Sequence, residues 1–235
     1  MFEEVAVTGS TNADLIARAS AGAQEGLWLR ADAQDAGRGR MGRVWDSANG
    51  NVFASTIVRV GTSDPPVSSL GFVAALAVHD TIRQIAADVP IMIKWPNDIL
   101  TMGGAKLCGI LLERTGDAIV IGFGINLTSH PKELVRLVTD LRAEGANPPA
   151  PKAVVEMLAD FLKIWLERWR VEGLAPILKS WQSCTHRHGT ALSVHLPSNE
   201  ILEGLYSGLD EDGALMLRLA NGEIRAIHAA DVFLI

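Results

Sequence analysis

Cysteine is nearly absent from this chain: Cys108 and Cys184 are its only two, far apart in 235 residues and outside any C-x-x-C spacing. A disulfide framework and a zinc ribbon both need more, so the two read as plain thiols. Long apolar runs are missing as well. No window reaches the ~18 consecutive apolar residues of a membrane-spanning helix. The N-terminal MFEEVAVTGS has neither a basic region nor a signal-like apolar run, so the chain is expected in the cytoplasm with no membrane partner. Positive charge is also scarce. A formal net charge of -6 argues against general nucleic-acid binding, which needs a basic face, and no DNA partner is expected. The phosphate-binding pattern G-x-x-x-x-G-K-S/T occurs nowhere.

What is present suits a globular protein, with 48% hydrophobic and 20% charged residues, enough for one large domain and a small second one. A short strand with Val5 and Val7 precedes a helix from about Ser10 to Ala21, and strands follow at residues 27–31 and 51–60. Pro65 and Pro66 open a helix running to about Ala87 that is apolar almost all round, as a core helix is. Residues 91–95, the run around Ile99 and Leu100, 106–113 and 118–125 read as strands of one sheet. After the Pro-rich ANPPAPK, the positions Val154, Leu158, Phe161, Trp165 and Trp169 recur at helical spacing as a core stripe. From about Thr190 five short alternating strands are separated by turn signals such as Asn221-Gly222. They suggest a small β-barrel attached to a larger α+β domain. Cys184-x-His186-x-His188 is a cluster of ligand-type residues without a fourth ligand, so no metal site is expected there.

DAGRGRMGRVWDSANG, residues 35–50, sets Gly37, Gly39 and Gly42 in the spacing G-x-G-x-x-G. A dinucleotide fingerprint requires a helix to begin there, and the turn residues of RVWDSANGN followed by a strand deny it one. The stretch does offer Arg38, Arg40 and Arg43 on a glycine-rich loop that can approach an anion, with Trp45 able to stack on a flat ring.

Three further motifs follow in order: Lys94-Trp95-Pro96-Asn97-Asp98, then KLCGILLE beginning at Lys106, then Gly122-Phe123-Gly124-Ile125-Asn126. Together with the arginine loop they resemble the biotin protein ligases, through most of residues 8–130 and more weakly beyond. The resemblance implies an α+β fold. A catalytic domain over residues 1–186 would be built on a mixed β-sheet of the biotin/lipoate ligase type, and residues 187–235 would form a small C-terminal SH3-like β-barrel. It also implies a reaction, in which biotin is activated by ATP with Mg²⁺ to biotinyl-5′-AMP and then passed to a lysine of a biotin carboxyl carrier domain.

Roles carry over residue by residue. Lys106, Arg40 and Asp98 match the catalytic set, Lys106 as a point charge for carboxylate and α-phosphate, and Asp98 to orient or deprotonate the acceptor lysine. Biotin contacts are implied for Ser10, Thr11, Asn12, Gln34, Gly37, Arg38, Arg40, Lys106, Gly109 and Leu111. Nucleotide contacts are implied for Arg38, Arg40, Arg43, Trp45, Asn97, Lys106 and Asn126. Lys94 is expected to shape the turn or the nucleotide site. On local grounds Thr11 with Asp14 is also a helix N-cap pair, and Asn97 and Asp98 are ordinary turn residues. Met41 stands where many relatives carry another arginine, which weakens the loop's charge without changing the reaction. Only nine residues precede Ser10, so the DNA-binding repressor domain of two-domain relatives is not expected. A lipoate ligase of the same fold and a biotin-sensing protein without catalysis are the alternatives, and a monomer and a homodimer both remain open.

Overall fold

The computed structural model describes residues 1–39, 42–131 and 137–235; Arg40 and Met41 lie outside them. Strand β1 (Phe2–Thr8) leads into α1 (Thr11–Ser20), which crosses over to β2 (Trp28–Gln34). Because a helix intervenes, β1 and β2 run parallel. The strands β3 (Val52–Arg59), β4 (Ile91–Lys94), β5 (Asp98–Thr101), β6 (Lys106–Thr115) and β7 (Ala118–Ile125) complete a seven-stranded mixed sheet in the order β1-β2-β3-β7-β6-β5-β4. All other neighbours are antiparallel.

The sheet is covered on both faces, which explains the near-continuous apolar character of β3 and β7. On one face α1 buries Leu15 and Ala19 against Leu29, Ile57 and Val120. The opposite face is capped by α2 (Leu70–Ile85), whose residues Phe72 to Val78 are all buried. Outside α2 lie α3 (Pro151–Glu172), started by a proline at its first turn, and α4 (Leu174–Ser183), separated from α3 by Gly173 at a φ of 81°. The apolar stripe of α3 is core, as its spacing predicts, and two of its tryptophans also find acceptors. Trp169 Nε1 donates to Ser69 Oγ at 2.7 Å and Trp165 Nε1 to Asp80 Oδ2 at 2.8 Å.

The remaining strands, β8 (Ala191–His195), β9 (Ile201–Leu209), β10 (Leu215–Arg218), β11 (Ile224–Ile227) and β12 (Asp231–Leu234), form an antiparallel sheet in the order β11-β10-β9-β8-β12. The fold is therefore α+β with a small all-antiparallel C-terminal unit. That unit shares its core with the helices. Gly213 abuts Phe72, Trp95 Nε1 donates to the Gly213 carbonyl at 3.1 Å, and Tyr206 is buried beside the His186 ring. No helix among the described residues is long and apolar enough to cross a membrane.

One local expectation is revised. The N-cap of α1 is Ser10, whose side chain accepts from the Ala13 N–H. Asp14 instead accepts from Thr8 Oγ1, and Thr11 turns inward. In the 184–188 stretch, where no metal site is expected, His186 and His188 both pack on the Tyr206 ring, at 5.3 and 5.5 Å, and Cys184 is half-buried.

Candidate active site

A cavity of about 940 Å³ opens over the face of the large sheet that carries α1 and extends to β12. Its polar end is built where β1 turns into α1. Thr11 donates to Gln34 Oε1 from its backbone N–H at 2.9 Å and its hydroxyl lies 3.1 Å from the same oxygen. Ser55 Oγ donates to Asn12 Oδ1 at 2.6 Å and shares a hydrogen bond of 2.7 Å with Thr11 Oγ1, while Asn12 Nδ2 donates to Glu113 Oε2 at 2.8 Å. These hydroxyls and amides form a chain that a polar ligand could enter by exchanging partners.

The floor is backbone. Gly109 and Gly124 are paired across β6 and β7, and the Trp45 indole lies over both. A Cβ on Gly109 would sit 2.7 Å from Trp45 Cζ3, and one on Gly124 would enter the ring. Gly122 similarly makes room for the Asn12 amide. Glycine is required at these places by close approach, whatever their φ. Trp45 Nε1 is buried with no hydrogen-bond partner among the described residues. Leu111 and Phe123 add apolar lining.

The arginine stretch folds back on itself. Gly39 N–H donates to the Arg43 carbonyl at 2.7 Å and Trp45 N–H to the Gly37 carbonyl at 2.9 Å, a two-stranded loop with Gly42 at a φ of 71°. Gly37 is needed because a Cβ there would lie 2.5 Å from the Trp45 carbonyl oxygen. Arg38 donates to Glu113 Oε2 at 3.2 Å, and Arg43 pairs with Asp231 of β12.

At the cationic end Lys106 Nζ donates to Asp98 Oδ1 at 2.7 Å, and Lys94 Nζ lies 3.3 Å from Asp98 Oδ2 while donating to the Val232 carbonyl at 3.0 Å. Burial would raise the Asp98 carboxyl, but the two ammonium groups outweigh it and hold the group down at about 2. Lys106 Nζ is also 5.5 Å from the centre of the Trp45 ring. Asn126 lines the cavity and its amide donates to the Thr139 carbonyl at 3.0 Å.

The cavity thus gathers Ser10, Thr11, Asn12, Gln34, Arg38, Arg43, Trp45, Asp98, Lys106, Gly109, Leu111 and Asn126. Gly37 does not line it and serves the loop's own closure. Asn97 is placed elsewhere: its amide donates to the Ile110 carbonyl at 2.7 Å and it borders a separate cavity of about 520 Å³. Arg40 lies outside the described residues. Three participants escaped the sequence reading. Glu113 shares a strand face with Gly109 and Leu111, so period-2 alternation along β6 points to it. Ser55 is one of two buried hydroxyls, with Thr56, in a mostly apolar strand, a usable signal. Asp231 had none, being 188 residues from its partner.

Residues 5–126 match the biotin/lipoate A/B protein ligase family and residues 193–235 the biotin protein ligase C-terminal domain. The chain is 36% identical to a biotin–(acetyl-CoA-carboxylase) ligase of Mycobacterium tuberculosis, over 98% of this chain and 88% of that protein. It is 33% identical to one of Paracoccus denitrificans, over 97% and 98%. Its fold is similar to that of an Aquifex aeolicus biotin protein ligase solved with biotin and ATP, with a TM-score of 0.88 and 23% identity over 100% and 99% of the two chains.

Proposed function

The chain belongs to the biotin/lipoate A/B protein ligase family, and from that premise we propose that it is an ATP-dependent biotin protein ligase acting on a biotin carboxyl carrier domain. In the first step the biotin carboxylate attacks the α-phosphate of ATP, giving biotinyl-5′-AMP and pyrophosphate. In the second the neutral amine of the acceptor lysine attacks the acyl carbon and AMP leaves.

The observation that carries this reading is the Lys106 ammonium, held by Asp98 at 2.7 Å within a cavity that has a backbone floor and a separate polar end. Two anions must meet in the first step, and a fixed cation between them acts most strongly as charge gathers on the α-phosphate oxygens. Asp98, at about 2, keeps its charge at neutral pH and is a weak base for an amine. Its geometry supports a role as the counter-ion that aims Lys106 and Lys94. Thr11, Asn12, Gln34 and Ser55 suit the ureido ring, and the Gly109–Gly124 floor suits the apolar body of biotin. Trp45 and Asn126 suit adenine, the indole after moving from its resting place. Arg38, Arg40 and Arg43 suit the phosphates, closing the loop so that water stays off the mixed anhydride.

Among the described residues no group of three or more His, Cys, Asp or Glu side chains is arranged to hold a metal. In the proposed reaction Mg²⁺ would arrive with ATP, its ligands drawn from phosphates and water. We place the boundary between catalytic domain and C-terminal barrel at residues 186/187, with β12 lending Asp231 to the loop.

The test is purified protein with ATP, Mg²⁺ and a carrier domain, with biotin in one arm and lipoate in a parallel arm, each read by the mass added to the carrier and the biotin arm also by streptavidin blot. Biotin transfer is expected. Folded protein that transfers nothing, or only lipoate, overturns the reading.

A further inference from the structure

Asp98 sits between two neighbours of different kinds. Its partner on β4 is Lys94, and its partner on β6 is Gly109. The glycine leaves the space into which Lys106 folds back, its Nζ lying 3.2 Å from where a Gly109 Cβ would stand. Each oxygen of the carboxylate therefore has its own ammonium, Lys106 on Oδ1 at 2.7 Å and Lys94 on Oδ2 at 3.3 Å. The side chains of Lys94 and Asp98 are both only 13% exposed. An ion pair buried to this degree contributes little net stability, because desolvating the charges offsets most of their attraction. What two donors on separate oxygens do provide is a fixed carboxylate plane.

Lys94 is itself held at several points. Its Nζ donates to the carbonyl of Val232 on β12 at 3.0 Å, across 138 positions of sequence, and lies 6.0 Å from the centre of the Phe233 ring. The residue before it is clasped by the segment that follows α4. Ile93 N–H donates to the Cys184 carbonyl at 2.8 Å, and the Ile93 carbonyl accepts from Thr185 Oγ1 at 2.7 Å. Asp98 and Lys106 line the cavity, and Lys94 stands behind them. Burial raises the Asp98 carboxyl, and Lys106 and then Lys94 outweigh it. The titratable groups nearby stay neutral at ordinary pH: burial pushes the Cys108 thiol far up, and burial first and Lys94 second lower the His186 ring.

We propose that Lys94 is a positioning residue for the first step of the reaction, a strut that is braced on β12, fixes the Asp98 carboxylate and through it aims the Lys106 ammonium at the reacting groups. This role rests on the ligase reading above. It gives the C-terminal unit a part in forming biotinyl-AMP without requiring a contact from β12 to the acyl group. With the strut removed, Asp98 can turn about its side-chain bonds and Lys106 loses its fixed bearing. A displacement of about 1 Å in a catalytic group can cost about 100-fold in rate.

The test compares Lys94→Met, which keeps the length and loses the charge, with Lys94→Arg, which keeps a charge and can donate to Asp98 and Val232 at once. In the first arm, biotin-dependent pyrophosphate release by Lys94→Met should fall about 10- to 100-fold in kcat, with the KM values for biotin and ATP within about threefold. Lys94→Arg should recover most of the loss. The second arm uses neither biotin nor ATP and follows the Asp98 carboxyl carbon by NMR from about pH 7 to about pH 4. The carbon should hold its ionised shift in the unaltered protein and in Lys94→Arg. In Lys94→Met it should begin to titrate, because loss of an opposite charge moves a carboxyl by about 1–3 pH units. An unchanged kcat, a loss confined to KM, or a folded Lys94→Met whose Asp98 titrates like that of the unaltered protein would each overturn the proposal. An unaltered protein that releases no pyrophosphate breaks the ligase reading instead, and the carbon titration then still decides whether Lys94 holds Asp98. Should Lys94→Met not fold, Lys94→Gln, which keeps a donor without the charge, is read by the same criteria.

Discussion

Acid should weaken this protein well before its carboxylates titrate, because of His186. The ring is 7% exposed, packs edge-on against Tyr206 at 5.3 Å, and neither nitrogen has a hydrogen-bond partner among the described residues. Burial first, and the charge of Lys94 second, lower it from 6.5 to about 4. A group easier to protonate when unfolded gives the unfolded state the greater proton uptake. Its contribution is therefore fully present above pH 6.5 and is lost as pH falls through 4. At ~1.4 kcal/mol per pH unit the loss reaches about 3 kcal/mol, a sizeable share of the ~5–15 kcal/mol that folded domains hold. Urea unfolding of the unaltered protein and of His186→Phe, from about pH 7 to about pH 4, measures it. The difference between the two curves isolates His186 from Asp98, whose contribution is lost only as pH falls from 3.8 towards 2. On the alkaline side, the His79 contribution is lost as pH rises from 6.5 through 9. A difference that stays flat between about pH 6.5 and about pH 4 would show that the ring is hydrated or hydrogen-bonded after all, and the reasoning would fail.

Other consequences concern the cavity. Lys106→Ala should lower biotinyl-AMP formation about 100-fold or more, measured as biotin-dependent pyrophosphate release; a loss below about 10-fold would remove the lysine from the first step. Gly124→Ala should force the Trp45 indole off its floor, raising the biotin KM and shifting tryptophan emission, at a stability cost of about 1–3 kcal/mol. Unchanged emission would mean that the ring does not rest there. Asp231→Ala breaks a pair whose arginine is 41% exposed, so stability should move by less than about 1 kcal/mol. The KM for ATP should change in a salt-dependent way, and a KM indifferent to salt would separate β12 from the loop.

The helices and strands were legible wherever periodicity spoke. The apolar run of α2, the stripe of α3 and the five alternating C-terminal strands stand where the pattern sets them. Elements bound by long-range contact were not. α4 is only ten residues and continues from α3 across Gly173, so it had no separate signature. Within the site, motif residues that share a strand or a turn came together. Asn97 did not, because its amide is spent on closing its own turn to β6. The resting position of Trp45, the electrostatics of Asp98 between two lysines, and the reach of Asp231 to Arg43 depend on which distant strands pair. No local spacing encodes that. The glycines of residues 37–42 were a misleading fingerprint for the same reason: Gly37 answers to the Trp45 carbonyl, not to a helix.

A floor made of peptide planes also limits how this site can change. At Gly109 and Gly124 every substitution adds atoms to the ligand's space and none can reshape the surface beneath it. Mutational drift there has a single direction, toward a smaller or closed site. Any shift in which acyl group is accepted would have to come from the rim, from positions such as Leu111, Thr11 and Gln34, where one side chain can be exchanged for another without closing the cavity.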